Sequence, residues 1–128
     1  MTINRPILYI LLMGALGAVS RYGIGLWLGS PWGTFAVNVV GCFLLPIIFD
    51  YMATTGRVDQ DFAFALGTGF IGSFTTFSAF SGENAELLLS GSYGEAGIYI
   101  SVSLLGGFVA TFAGIEVAGK LKKRRELP

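Results

Sequence analysis

Four long apolar runs, at residues 7–28, 34–52, 62–89 and 96–119, take up most of a chain of 128 residues. A soluble core of that size has no room for so much apolar sequence, so the bilayer has to act as the solvent. Each run is about 19 residues or longer, and about 20 residues at 1.5 Å rise cross a hydrocarbon core of roughly 30 Å. Only 12% of the residues are charged against 53% hydrophobic, and the mean hydropathy is +0.69, as expected of a membrane chain. The expected fold is therefore an all-α integral membrane protein, one domain of four transmembrane helices with a basic tail at 120–128. The first run begins directly after Arg5 and Pro6 and is long, with Arg21 near its end. It reads as a retained crossing, not a cleaved leader.

The third run, 62–89, is longer than one crossing needs, and it is the most unusual. Its stretch Gly67 to Gly82 reads GTGFIGSFTTFSAFSG. Gly67, Gly69 and Gly72 weaken a helix, and Gly72-Ser73 invites the backbone to leave helical geometry. Backbone groups freed at membrane depth are tolerated only inside protein or beside a water-filled path. The run is read as two half-helices with the break near Gly72, which makes an ion site the natural suspicion. If helix resumes beyond it, Phe77 and Phe80 share a face at i, i+3. Glu83 and Glu86 follow toward a mouth of the protein, where carboxylates are expected to be solvated.

The other runs supply partners. Thr34 and Asn38 form a polar stripe at i, i+4 on the second run, and an asparagine in lipid must bond another helix or face a polar path. Pro46 is expected to kink this helix and Asp50 to meet water. On the fourth run Gly106, Ala110, Gly114 and Ala118 form a packing seam beside a hydroxyl-bearing face of Tyr99, Ser103, Gly107 and Thr111. Gly14, Gly17 and Ala18 give the first run a similar close-packing side. Cys42 is expected to be a small core residue.

No histidine is present and no Cys/His cluster has metal-ligand spacing, which argues against the familiar hydrolytic enzymes. The polar groups inside the helices, Thr34, Asn38, Thr75, Thr76, Ser78, Tyr99 and Ser103, can all donate hydrogen bonds, and no carboxylate lies mid-helix among them. Donors of this kind suit an anion. The positive edges of two phenyl rings add to that preference while keeping a path narrow.

Three segments, Gly14-Ala15-Leu16-Gly17-Ala18-Val19-Ser20-Arg21, Gly33-Thr34-Phe35-Ala36-Val37-Asn38-Val39-Val40-Gly41 and Gly72-Ser73-Phe74-Thr75-Thr76-Phe77-Ser78-Ala79-Phe80-Ser81, resemble in order and spacing the Fluc (CrcB-type) family of fluoride channels. The resemblance covers nearly the whole chain. It implies an antiparallel, dual-topology dimer enclosing two pores in the cell inner (plasma) membrane. It also implies passive, selective export of fluoride that has entered as the neutral acid and become trapped as the anion. By resemblance Phe77 and Phe80 line the pore, Asn38 is the family asparagine, and Thr76, Ser78, Tyr99 and Ser103 form the hydroxyl track. A structural sodium ion (Na+) at the dimer centre would take the backbone carbonyls of Gly72 and Thr75. Arg21 would serve the vestibule or the interface, with Thr34 and Glu83 near it. Gly107 departs from the hydroxyl track of some relatives.

Two other classes compete. A proton-coupled antiporter of the small multidrug type needs a carboxylate in its first crossing, and 7–28 contains none. A non-transporting membrane scaffold would account for the small-residue stripes but leaves Phe77, Phe80 and Asn38 without a purpose. Nothing points to nucleic acid as a partner.

Four crossings put both termini on one side, together with Arg5, Arg57, Lys120, Lys122, Lys123, Arg124 and Arg125. The positive-inside rule then predicts cytoplasmic termini for most copies. Homodimers of dual orientation need a more even balance, so a heterodimer with an oppositely biased homologue is the alternative to the homodimer. For the homodimer, a carboxy-terminal reporter counted in cells is expected on both sides of the membrane. A single fixed orientation would rule it out.

Overall fold

The structure is a computed structural model and describes residues 4–56 and 58–126. Arg57, counted above among the basic residues of the terminal side, lies outside the described residues, as do Leu127 and Pro128. Four helical stretches are long and apolar enough to cross a membrane: Arg5–Leu28, Trp32–Met52, Gln60–Leu89 and Tyr93–Arg124.

Helix α1 (Arg5–Leu28) opens with Pro6 in its first turn, where a missing N–H costs nothing. It closes at Gly29, whose φ of 71° suits glycine and whose N–H bonds the Gly25 carbonyl. Helix α2 (Trp32–Met52) is α-helical to Pro46 and then π-helical over Ile47–Met52. A kink was expected at Pro46; what the structure shows there is this change of winding. Proline cannot donate to the i−4 carbonyl, and the ladder beyond it continues at i−5 spacing, as in Ala53 N–H to the Ile48 carbonyl at 3.0 Å.

Helix α3 (60–74) is capped by Asp59, whose carboxylate accepts from the N–H groups of Asp61 at 2.8 Å and Phe62 at 3.3 Å. It winds as a π-helix through Ala65–Ile71 and finishes as α-helix at Gly72–Phe74. Gly72, where the sequence suggested the chain would turn aside, is itself helical at φ −61°, ψ −31°. The backbone becomes extended at Thr75 (ψ 158°) and Thr76 (φ −151°, ψ 121°). The Ile71 carbonyl accepts from both the Thr75 N–H and the Thr75 hydroxyl at 2.9 Å, so the last helical bond is made at Thr75, and the Thr76 N–H turns instead to another helix. Helix α4 (Phe77–Leu89) follows, its first turn capped by the Thr76 hydroxyl, which accepts from Ala79 N–H at 3.1 Å.

Helix α5 (Tyr93–Glu126) runs 34 residues and takes most of the basic tail into the helix. Lysine, leucine, arginine and glutamate are good helix formers, and extending a helix already nucleated is cheap. Asp50, expected in water, forms an ion pair with Lys122, both half-exposed. That contact ties the end of α2 to the end of α5.

Small residues decide how closely the helices approach. A Cβ on Gly17 would sit 2.3 Å from the Phe70 carbonyl oxygen, and one on Gly114 would sit 2.2 Å from that of Phe43. The seam on α5 thus packs on α2, with Ala110 and Ala118 buried, while α1 packs along the π-wound part of α3. Backbone on backbone cannot be relieved by a rotamer change. Gly17→Ala is expected to destabilise the fold by about 1–3 kcal/mol. Gly23→Ala, where the new methyl group meets nothing within 4 Å, should be neutral or slightly stabilising in the same denaturant titration in detergent.

Candidate polar site at the junction of the third span

The extended pair Thr75–Thr76 leaves backbone polar groups without helical partners at membrane depth, and Asn38 of α2 takes both groups of Thr76. Its Oδ1 accepts from Thr76 N–H at 2.8 Å, and its Nδ2 donates to the Thr76 carbonyl at 2.9 Å. Of the two roles open to a membrane asparagine, the structure assigns the bond to another segment. One Nδ2 hydrogen stays available. Thr76 is buried, and its hydroxyl also lies 3.2 Å from the Ser78 hydroxyl.

The aromatic residues follow directly. Phe77 is 78% exposed and Phe80 half-buried, with ring centroids 6.0 Å apart and planes tilted by 38°. Phe80 in turn meets the Tyr99 ring at 5.3 Å and 55°. Asn38, Thr75, Thr76, Phe77, Phe80 and Ser103 share the lining of one open groove of about 610 Å³ between α2, the junction and α5. Apolar side chains make up most of its remaining wall. The Ser103 hydroxyl is buried and has no hydrogen-bond partner among the described residues.

Beyond Phe80 the structure departs from the sequence reading. Glu83 was expected to be solvated, and Thr34 and Tyr99 were read as donors with no acceptor charge among them. Instead Glu83 is half-buried and gathers them. Its Oε1 accepts from the hydroxyls of Ser30 at 2.6 Å and Thr34 at 2.8 Å, and its Oε2 from that of Tyr99 at 2.7 Å. These are the short distances of charge-assisted bonds. Sequence reasoning missed Ser30, because it sits in a turn, and Asn84, which is buried and bonds the Phe80 carbonyl at 2.8 Å. Asn84 lies at i+4 from Phe80, which was the available signal.

Other predicted residues lie apart. Ser78 is exposed and does not line the groove. Arg21 is half-exposed on α1, which touches neither α4 nor α5 among the described residues, and it forms no ion pair with any of them. Cys42 is half-buried and free, close to Gly107. No group of three or more Asp, Glu, Cys or His residues is placed to hold a metal among the described residues.

Fold and site together define a four-span helical membrane protein with a hydrogen-bond-donating cluster at a non-helical junction. The chain belongs to the CrcB-like family: the family described as CrcB-like protein, Camphor Resistance (CrcB), matches residues 8–115. The chain is 47% identical over 120 residues to "Fluoride-specific ion channel FluC 2" of Listeria innocua serovar 6a, covering 91% of this chain and 93% of that one. It is 38% identical over 127 residues to "Fluoride-specific ion channel FluC" of Oceanobacillus iheyensis, covering 96% and 98%.

Replacing Asn38 tests the junction directly. Asn38→Asp keeps an acceptor for Thr76 N–H but sets carboxylate oxygen against the Thr76 carbonyl. It is expected to cost about 1–3 kcal/mol, the usual penalty for a buried polar group left unpaired. Unfolding titrations would measure that loss. Hydrogen exchange should quicken at the Thr76 amide more than at amides within α1.

Proposed function

We propose that this chain forms a fluoride-selective channel that lets cytoplasmic fluoride leave down its electrochemical gradient. The observation that carries the reading is the meeting of donors and phenyl rings at one groove, in a chain 38–47% identical over nearly its whole length to relatives named as fluoride-specific ion channels. Fluoride is small, strongly hydrated and a good hydrogen-bond acceptor, so it needs donors to replace its water. Asn38 Nδ2 offers one on the groove lining, and the unpartnered Ser103 hydroxyl, buried behind that lining, is a second; Thr76 lies beside them, while Ser78 is exposed away from the groove and the Tyr99 proton goes to Glu83. The positive edges of Phe77 and Phe80 add attraction without a fixed countercharge that would trap the ion. An inside-negative potential of 100 mV contributes about 2.3 kcal/mol per departing anion, a roughly 50-fold gradient, so export needs no coupled energy source.

The groove is open along one side, and the reading supplies a second copy, antiparallel, to close it. Phe77, largely exposed in one chain, would then be covered. The interrupted third span serves in this reading as the centre of that dimer. A structural Na+ ion fits the residues there: Thr76 N–H is engaged by Asn38, so the Gly72 carbonyl lacks its ordinary i+4 donor, and Thr75 ends the helix with its carbonyl unpaired by the ladder. Carbonyl oxygens are suitable ligands for a hard cation. When bound, such an ion supplies positive charge against the negative end of α3 and a shared centre for two copies.

Liposomes containing only the purified chain are expected to release fluoride rapidly, followed with a fluoride electrode, while matched vesicles hold chloride. Phe80→Ile removes one ring edge and should lower fluoride efflux by an order of magnitude or more with the dimer intact. Wild-type release of chloride at the fluoride rate, or unchanged efflux in Phe80→Ile, would count against this reading.

A further inference from the structure

The lipid-facing side of α5 turns basic where the helix leaves the apolar layer. Val102, Leu105 and Val109 are exposed and lie outside the groove lining, so this stripe faces the acyl chains. Lys120 lies 18 residues beyond Val102 and Lys123 18 beyond Leu105, about five helical turns in each case, which returns each lysine to the azimuth of its partner. Both are exposed, and Arg124 is exposed beside them. The rotation of this helix end is fixed by Lys122, which points the other way to its ion pair with Asp50.

Length places these cations in depth. At 34 residues α5 is about 51 Å long, against a hydrocarbon core of roughly 30 Å, so its ends reach the headgroup layer. On the same stripe Glu116 pairs with Lys120 at 2.7 Å, which offsets one charge and leaves Lys123 and Arg124 without an acidic partner among the described residues. We infer that Lys123 and Arg124, with Lys120 flanking, form a binding site for the phosphate of an anionic phospholipid headgroup. Its acyl chains run down this face toward Val109, 14 residues or about 21 Å of helix below Lys123. Continuity of the face favours lipid: a phospholipid presents its phosphate directly above its chains, so one molecule meets both the cations and the apolar stripe below them. Juxtamembrane lysine and arginine attract anionic leaflets in this way, and salt screens the attraction.

The test uses the purified full chain in neutral detergent, titrated with phosphatidylglycerol or phosphatidylcholine, with retained lipid counted by native mass spectrometry. The wild-type chain is expected to retain phosphatidylglycerol several-fold more than phosphatidylcholine. The double variant Lys123→Gln, Arg124→Gln should lose that preference, while Arg5→Gln, at the same end but on α1, should keep it. Equal retention of the two lipids by the wild type, or an undiminished preference in the double variant, overturns the inference. So does complete displacement of the lipid by millimolar inorganic phosphate, which would make the site one for free phosphate. Unfolding titrations confirm that each variant is folded, and the outcome is independent of fluoride efflux.

Discussion

The arrangement depends on how the peptide groups of Thr76 are satisfied where water is scarce. An N–H and a carbonyl released from a helix in hydrocarbon each cost several kcal/mol unless paired. The carboxamide of Asn38 is one of the few side chains that offers a donor and an acceptor at peptide spacing, so it can replace the lost helical bonds of one residue in a single contact. The rest of the site follows from that contact. With Thr76 extended, its hydroxyl caps α4 and fixes the start of that helix, and therefore the direction of Phe77 and Phe80. With the Thr76 N–H diverted, the end of α3 keeps carbonyls unsatisfied.

Close packing on glycine holds that contact in place. Asn38 reaches Thr76 only because α2 lies tightly against the third span, and Gly41, one turn on from Asn38, faces Thr75 so closely that a Cβ there would fall 2.1 Å from its methyl group. On the other side Gly17 seats α1 on the Phe70 backbone, and Gly114 seats α5 on that of Phe43. Hydrophobic transfer offers no force between helices already in lipid, so the fit of small residues and a few interhelical hydrogen bonds must supply the specificity. The glycines and the asparagine act together: the first permit the approach, the second sets its register.

Much of this was legible in the sequence because membrane helices announce themselves by length and hydropathy, and because Asn38 has few permitted surroundings in lipid. The four spans follow from such arguments, and so does the need of Asn38 for another helix or a polar path; its grouping with Phe80 comes from the family resemblance. Gly72 was a poor guide to where the chain leaves the helix, since glycine in a membrane span permits departure without requiring it. The threonines and the distant Asn38 decide the position, and a contact across 38 residues has no local signature. The tail was read as separate from the last helix because its charge differs, yet lysine and arginine continue a helix well. Glu83 was misjudged for a related reason. Its nearness to a helix end suggested solvent, but Ser30, Thr34 and Tyr99 come to it from three other parts of the fold.

Glu83 also changes how the donor cluster should be understood. Three hydroxyls converge on the two oxygens of the Glu83 carboxyl group at 2.6–2.8 Å, so the protein has built an acceptor site and filled it with its own side chain. The hydroxyls of Thr34 and Tyr99 cannot give their single protons to a passing anion while they serve Glu83. The uncommitted donors lie deeper: the second Nδ2 hydrogen of Asn38, on the groove with the phenyl rings, and the hydroxyl of Ser103, buried behind the groove lining. A negative carboxylate at one end of such a track repels an anion at long range, and the hydroxyls partly neutralise it at short range. In the proposed channel, such a balance would hold an anion weakly, as conduction requires.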